Sequence, residues 1–419
     1  MVQVTYTDEL EFERDLVNML VKNEGWTGLG GTSPVLSHPT EDSLIDNWAR
    51  ILFENNDTPD RLNGVPLTSG EKAQLMEHVR ACRTPVKANE FINGGSVTIR
   101  RDARDDTANC GREVALSIYN RMEIAGGKSV YQIAEQPIFK TSSDILPDRR
   151  GDVMLLINGL PVIHCELKRS GVAVTKAVNQ VRKYLHEGIF TGFFSLVQVF
   201  VAMNPEETLY FANPGTDNAL NERFLFHWGT LDNSRVDRWD DIAEQLLSIP
   251  MAHQLVGFYT VADHSDNVLK VMRSYQYWAA HKIRLACERA VWDAGRPRGG
   301  YVWHTTGSGK TLTSFKAAQL IAISGNADKV LFLVDRIELG TQSLDEYRGF
   351  ADAKETVDSA EDTDMLQSLL KEDRTSSTLI VTSIQKMNVL CSEGNRAADL
   401  AKSRHNVSVG LTWGEGLPN

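Results

Sequence analysis

Two stretches of the sequence carry side chains whose types and spacing could do chemistry, and a third could support them. From Gly151-Asp152-Val153 to Cys165-Glu166-Leu167-Lys168, two carboxylates and a lysine bracket a short apolar segment. Two carboxylates can hold Mg2+, which polarises a phosphodiester and activates water, while a nearby lysine orients the nucleophile or stabilises charge. Asp152 and Glu166 are therefore the candidate metal ligands, and Lys168 the candidate catalytic amine. Glu166 and Lys168 lie two residues apart, so on a strand both leave one face, away from Leu167. The same spacing is common on solvent-facing strands, and the pair alone does not decide between the two. Downstream, Gln180 and Tyr184 stand at i, i+4 in a charged, proline-free stretch (173–188) that suits a helix, which puts them on one face.

The other chemical stretch is His304-Thr305-Thr306-Gly307-Ser308-Gly309-Lys310-Thr311, which follows Tyr301-Val302-Trp303 and leads into a helix. Gly307 and Gly309 let backbone N–H groups turn inward around phosphate oxygens, where side chains would block approach. With Thr306 and Ser308 completing this cradle, Lys310 would reach the β- and γ-phosphates of ATP and Thr311 would offer its hydroxyl to Mg2+. The helix N-terminus adds partial positive charge. His304 stands where the general pattern has glycine. A flexible strand-to-helix loop is the other reading.

The carboxylates impose a condition on register. Asn158-Gly159 between apolar runs signals a hairpin. An ideal two-residue turn there pairs Asp152 with Cys165 and sends the acid to the wrong face. A shared site requires a bulge or a three-residue turn, shifting register by one. Gly159 can take φ > 0 and Pro161 cannot donate a ladder bond, so an irregular hairpin is credible. Glu113, on a predicted helix ahead of the core strands, is a candidate further acid. His164 shares the face of Glu166 and is expected to be a bystander.

The elements that must position these groups follow from periodicity. Residues 8–23 have helical spacing, with Leu10, Phe12, Leu16, Met19 and Leu20 as the apolar stripe, and 70–92 read as another helical region. Short, partly β-branched runs at 130–139, 152–157, 161–167 and 195–202 predict strands. The polar stretch Asp263-His264-Ser265-Asp266-Asn267 is taken as a boundary, giving domains of about 1–260 and 261–419. Beyond it, helices at 274–293, 310–323 and about 361–371 alternate with strands at 300–303, 329–334 and 378–382, the pattern of a parallel, doubly wound sheet.

Composition narrows the function classes. Hydrophobic content of 42% and charged content of 24% are ordinary for a soluble globular protein. No apolar stretch is long enough to span a bilayer, and Met1–Leu10 carries acids without the apolar core of a signal peptide. The five cysteines are far apart with no CxxC pair, which argues against a zinc site or disulfide framework and for a reducing, cytoplasmic setting. A net charge of −11 opposes non-specific phosphate binding, so contact with DNA must come from local grooves or partner subunits. The mixed-sign run from Arg100 to Asp106 reads as a solvated loop.

The text Asn158-Gly159-Leu160-Pro161 through Glu166-Leu167-Lys168, then Asn179-Gln180-Val181-Arg182-Lys183-Tyr184, is similar to the R (motor and endonuclease) subunit of type I restriction enzymes, over roughly residues 100–407. Asp152, Glu166 and Lys168 match that family's PD-(D/E)xK pattern, and Gln180 with Tyr184 its QxxxY element. The surroundings of the phosphate loop resemble a superfamily 2 helicase motor. Gln276 stands where that family places an adenine-reading glutamine, although a glutamine on a helix also suits plain solvation. Val334-Asp335-Arg336 through Gln342 resembles motif Ia, and Val381-Thr382-Ser383 through Met387 resembles motif Ib, which lines the DNA track. Arg336 and Thr382 are thus candidate DNA contacts.

The resemblance implies an α/β fold: a PD-(D/E)xK nuclease-like mixed sheet with flanking helices, followed by an incomplete RecA-like parallel α/β domain. It implies Mg2+-dependent cleavage of double-stranded DNA, coupled in the full enzyme to ATP-dependent translocation, with Gln180 and Tyr184 supporting the site or touching DNA. Modification (methyltransferase) and specificity subunits are the implied partners. A complete motor also has a strand ending in Asp-Glu, the Walker B (DExH) element, and a second similar domain. After Arg404-His405-Asn406-Val407 this chain reads Ser408 to Asn419, with no aspartate before Glu415. The expectation is truncation before that element, leaving no ATPase or translocase in this chain alone. Two further readings are a non-catalytic DNA-binding or docking module, and an ATP-dependent helicase with an unrelated upstream domain.

Overall fold

The computed structural model describes residues 5–27, 35–141, 147–215, 220–289, 300–305, 307–324, 327, 329–334, 337–351, 357–360, 362–371 and 378–392. The chain divides into two compact units, Met1–Ser274 and Tyr275–Asn419.

A six-stranded mixed sheet organises the first unit: β1 (Leu36–Ser37), β2 (Tyr131–Glu135), β3 (Val153–Ile157), β4 (Leu160–Leu167), β5 (Val199–Asn204) and β6 (Glu207–Ala212). Their order in space is their order in the chain. β3 runs antiparallel to both β2 and β4, while β4 and β5 are parallel. Every residue of β3, β4 and β5 is buried, as in central strands covered on both faces, the polar His164, Glu166 and Asn204 included. The run at 195–202 is divided: Gly192–Leu196 forms a 3-10 turn, and the strand begins at Val199.

Asn158 (φ 52°) and Gly159 (φ 81°) make a two-residue turn with both residues left-handed, the twist that joins antiparallel strands without splaying them. Asn158 is held there, its Oδ1 accepting from Val130 N at 2.8 Å and its Nδ2 donating to Ile118 O at 3.2 Å. Pairing runs Ile157↔Leu160 and Leu156↔Pro161, then jumps to Leu155↔Ile163, Met154↔His164 and Val153↔Cys165. Val162 is the extra residue of a bulge, placed next to the proline that has no N–H to give. The register condition is met by this bulge, and the turn keeps its two residues.

Helix α1 (Glu9–Lys22) is capped by Asp8, whose side chain accepts from Leu10 N at 3.1 Å. It buries Phe12, Glu13, Leu16, Val17 and Leu20, whereas Leu10 is 57% exposed. The expected stripe is therefore rotated toward Glu13 and Val17. Helix α2 (Thr175–His186) buries Ala177, Val178, Val181, Tyr184 and Leu185. The helical region at 70–92 is two helices, Ser69–Ala81 and Pro85–Gly94, because Pro85 opens a new first turn capped by Thr84.

Three charged positions differ from expectation. Arg101 and Asp106 are buried, not solvated. Arg101 Nη1 donates to Glu71 Oε2 at 2.6 Å and Nε to Asp106 Oδ2 at 3.1 Å, so the charges compensate one another away from water. Glu113 is exposed on the strand Glu113–Ser117, opposite Arg100, because Val114 and Leu116 alternate with it at the period of a strand. Strands Thr260–Asp263 and Val268–Val271, which flank the polar stretch read as a boundary, pair with each other inside the first unit; Tyr210 Oη donates to Met272 O at 2.9 Å.

In the second unit, β7 (Lys329–Val334), β8 (Val357–Ser359) and β9 (Thr378–Ser383) form a parallel sheet in the order β7-β9-β8. Helices α3 (Ser274–Glu288) and α4 (Lys310–Ile323) precede it, and Ile337–Phe350, Thr363–Lys371 and Ile384–Ser392 alternate with its strands. Leu331, Leu366, Leu370, Ile380 and Leu390 share one core, while the Tyr347 ring packs 4.8 Å from that of Phe332. The strand expected at 300–303 is not formed; these residues have no regular structure, with Tyr301 91% and Trp303 82% exposed. A strand needs neighbours for its N–H and C=O groups, and among the described residues none pairs with this segment. No helix among the described residues is long and apolar enough to cross a membrane.

A Cβ at Gly159 would stand 2.9 Å from Trp48 Cα on the helix Glu41–Asn56. Gly159→Ala therefore combines a strained φ with a displaced helix and should cost about 1–3 kcal/mol, read from the urea midpoint. An unchanged midpoint would show that the helix does not approach so closely.

Candidate metal centre and phosphate loop

One step beyond Val153↔Cys165, the shifted register sets Asp152 opposite Glu166. Asp152 is half-buried, and its Oδ2 accepts from Leu167 N at 2.6 Å. Glu166 is fully buried. Its Oε2 lies 3.2 Å from His164 Nε2; its Oε1 has no hydrogen-bond partner and lies 3.6 Å from Lys168 Nζ. Lys168 donates to Leu167 O at 2.5 Å and to Glu9 Oε2 at 3.4 Å. Asp152, Glu166 and Lys168 are thus brought together at the end of the β3–β4 pair.

Burial pushes the Asp152 carboxyl up to about 8, and the neighbouring Glu166 charge pushes the same way. Burial also raises Glu166 to about 8, against the pull of the Lys168 ammonium. His164 sits among the rings of Phe139, Phe190 and Phe200, and burial lowers its pKa to about 4. It is therefore a neutral partner that orients Glu166, with an Nδ1 that makes no hydrogen bond.

On α2, Gln180 Nε2 donates to Tyr184 Oη at 2.7 Å, and Tyr184 Oη donates to Arg150 O at 3.0 Å. Burial and the Glu166 carboxylate raise the Tyr184 hydroxyl, so it keeps its proton. These two side chains reach the centre through the backbone just ahead of Asp152.

Two acids that sequence reasoning missed approach from α1. Glu9 meets Lys168, and Glu13, only 6% exposed, accepts from Gln136 Nε2 at 3.0 Å. Burial raises the Glu13 carboxyl to about 7, with Asp152 among the charges acting on it. Gln136 is itself fixed, with φ 50° and its N donating to Asp152 O at 2.7 Å. The available signal was an acid in register with Leu16 and Val17, on the apolar side of the helix.

Buried carboxylate oxygens, one of them unpartnered, together with the Leu167 carbonyl, are hard donors of the kind Mg2+ takes. Among the described residues no group of three or more His, Cys, Asp and Glu could hold a metal, so water or phosphate oxygens would have to complete this set. Mg2+ commonly binds in that way, through one or two carboxylates.

In the second unit, Gly307 (φ 75°) and Gly309 (φ 79°) turn the chain into α4, with Lys310 and Thr311 as its first residues and both half-buried. Ser308 Oγ lies 3.2 Å from His304 Nδ1. Gln276 is buried, and its Nε2 donates to Ser308 O at 3.3 Å and Gly309 O at 3.1 Å; Tyr275 Oη donates to Ser308 O at 2.8 Å. The glutamine expected to read adenine here holds the carbonyl side of the loop. Thr382 is buried in β9, 3% exposed, with no hydrogen bond to its Oγ1. Thr306, Arg336 and the tail from Ser408 lie outside the described residues.

Comparison with known proteins agrees with this division. The family "Type I restriction enzyme R protein N terminus" matches residues 6–219, and "SWI2/SNF2 ATPase" matches 275–411. The SsaAORF53P endonuclease subunit of a type I restriction enzyme from Staphylococcus saprophyticus is 33% identical over 414 residues, which is 97% of this chain and 40% of that one. The SauMSSORF170P endonuclease subunit from Staphylococcus aureus is 34% identical over 389 residues, 92% of this chain and 37% of that one. The EcoprrI endonuclease subunit from Escherichia coli is 34% identical over 67% of this chain and 82% of its own length. A solved nuclease-deletion mutant of the Type ISP enzyme LlaGI, in complex with a DNA substrate mimic, covers 34% of this chain and 15% of that one at 20% identity and a TM-score of 0.25, too slight a likeness to carry weight. The chain belongs to the type I restriction enzyme R protein family. It spans about 40% of the length of its S. saprophyticus relative.

The raised carboxyls hold their protons more tightly folded than unfolded, so their stabilisation is complete below about pH 4. It is lost as pH rises toward about 8. Without divalent cations, Asp152→Asn should therefore unfold later than the wild type at pH 8, by about 1 kcal/mol or more, and lose that advantage near pH 4. A difference in urea midpoint that does not vary with pH would contradict a proton-holding acid at this position.

Proposed function

We propose that the first unit is the Mg2+-dependent DNA-cleaving part of a type I restriction enzyme, and that the second binds ATP. One observation carries the reading: the Val162 bulge turns Asp152 to the side of Glu166, where the Glu166 Oε1 lacks a hydrogen-bond partner and the Lys168 ammonium stands 3.6 Å away. The names of the relatives, each an endonuclease subunit of a type I restriction enzyme, support it.

In this reading Asp152 and Glu166 would hold the metal with the Leu167 carbonyl. The ion, when bound, supplies polarisation of the phosphodiester and an activated water. Neutral His164 fixes the Glu166 carboxylate through Nε2. Lys168 exchanges its bond to Leu167 O for the attacking water or the developing charge on phosphorus oxygen. Gln180 and Tyr184 hold the strand entering Asp152. In the second unit the loop 304–309 takes phosphates, Lys310 pairs with their charge and Thr311 offers its hydroxyl to Mg2+. Translocation of double-stranded DNA, and assembly with modification and specificity subunits in the cytoplasm, belong to the whole enzyme.

Cleavage of plasmid by the chain, alone or assembled with modification and specificity subunits, should fall about 100-fold or more in Asp152→Asn and in Lys168→Ala, with melting temperature and assembly kept for the lysine variant. Cutting that survives either change refutes that residue's role. Lys310→Ala should weaken a fluorescent ATP analogue by about tenfold or more, and unchanged affinity would remove the phosphate loop from the proposal.

A further inference from the structure

The centre is crowded with acidic side chains. Glu9, Glu13, Asp152 and Glu166 converge on it, and the whole chain carries a net charge of −11. A DNA phosphate approaching these acids needs a counter-charge besides the metal. Two nearby cations are already engaged. Lys168 is 9% exposed and bonds to Leu167 O and Glu9, and Arg149 makes a paired contact with Glu187, Nε to Oε2 and Nη2 to Oε1, both at 2.8 Å.

Arg150 differs. It forms a two-residue strand with Arg149, paired to Ile138 and Phe139, and successive side chains on a strand leave opposite sides. Arg149 faces Glu187 at the end of α2, so Arg150 faces away from it. Its side chain is exposed and makes no ion pair among the described residues. Arg150 stands two residues before Asp152, and the backbone between them is held by Gly151 N donating to Pro137 O at 3.1 Å and Gln136 N donating to Asp152 O at 2.7 Å, so its strand leads into the centre. Its backbone is anchored, because Arg150 O accepts from Tyr184 Oη at 3.0 Å and Tyr184 is held by Gln180 at 2.7 Å.

We propose that Arg150 is the phosphate-binding residue at the entrance of the metal centre, and that Tyr184 and Gln180 are positioning residues that fix its strand. This rests on the nuclease reading above and adds to it a site for a DNA phosphate next to the one that is cut. A guanidinium suits the task, since its planar fork can give two hydrogen bonds to one phosphate. The i, i+4 pair on α2 thereby acts on DNA through the Arg150 carbonyl.

The test is binding of a short fluorescent DNA duplex to the full chain in EDTA, followed by anisotropy over a range of salt concentrations. Arg150→Ala should weaken binding several-fold at low salt and lower the slope of log affinity against log salt by about 1, with an unchanged melting temperature. Arg150→Lys should restore the slope and Arg150→Gln should not. Tyr184→Phe keeps the ring and removes the hydroxyl; it should weaken binding less than Arg150→Ala, and the double variant should bind no worse than Arg150→Ala alone. A wild-type slope in Arg150→Ala, losses that add in the double variant, or a wild-type chain that shows no salt-dependent binding would each overturn the proposal. Cleavage by Asp152→Asn, run in parallel, judges the nuclease reading by itself: cutting that survives there sinks the metal centre, while the salt slopes still decide Arg150.

Discussion

Side chains on a strand alternate sides, so one unpaired residue, Val162, decides whether Asp152 and Glu166 can serve a common centre. Much of the first unit follows from keeping that register. β4 is hydrogen-bonded to β3 on one edge and β5 on the other, and buried along its whole length. Its acid cannot swing away to find water, and so holds its proton far above the ordinary carboxylate range. The neighbours of Glu166 answer the same constraint: a neutral imidazole on one oxygen and an ammonium near the other.

Such a centre destabilises the fold that carries it. A buried carboxyl beside a half-buried one, with a third on α1, lowers stability as these groups ionise. The first unit also contains a buried charge cluster of the opposite kind. Arg101 is enclosed by Glu71 and Asp106 and adds the Leu62 carbonyl as a further acceptor at 3.1 Å. That cluster satisfies its own charges, whereas Glu166 keeps an oxygen free. The contrast is between a buried ion pair whose acceptors are met and a buried carboxyl with one oxygen that lacks a hydrogen bond.

What the sequence made legible was local. Glycines and lysine before an apolar run located α4, and the strands Lys329–Val334 and Thr378–Ser383 stand where short β-branched runs put them. Asn158-Gly159 marked the hairpin, and the demand that two acids share a side implied an irregularity within it. What stayed hidden depends on partners distant in the chain. Glu13 belongs to the centre because α1 packs against β4 and Glu13 accepts from Gln136, which no window around residue 13 contains. Arg101 looks solvated until Glu71, thirty residues earlier, closes over it. Glu113 matched helical text but has Val114 and Leu116 at strand spacing. The segment 300–303 has strand composition and no neighbour to pair with among the described residues.

The bulge also limits how such a hairpin can vary among related chains. Unless the turn changes length or another bulge absorbs it, adding or removing a single residue between the two acids swaps the sides of everything beyond it, and the centre is lost even though each strand remains apolar and well formed. Changes of two residues keep the parity and only lengthen or shorten the loop. Drift in this segment should therefore proceed in even steps, or in compensated odd ones that create or erase a second bulge.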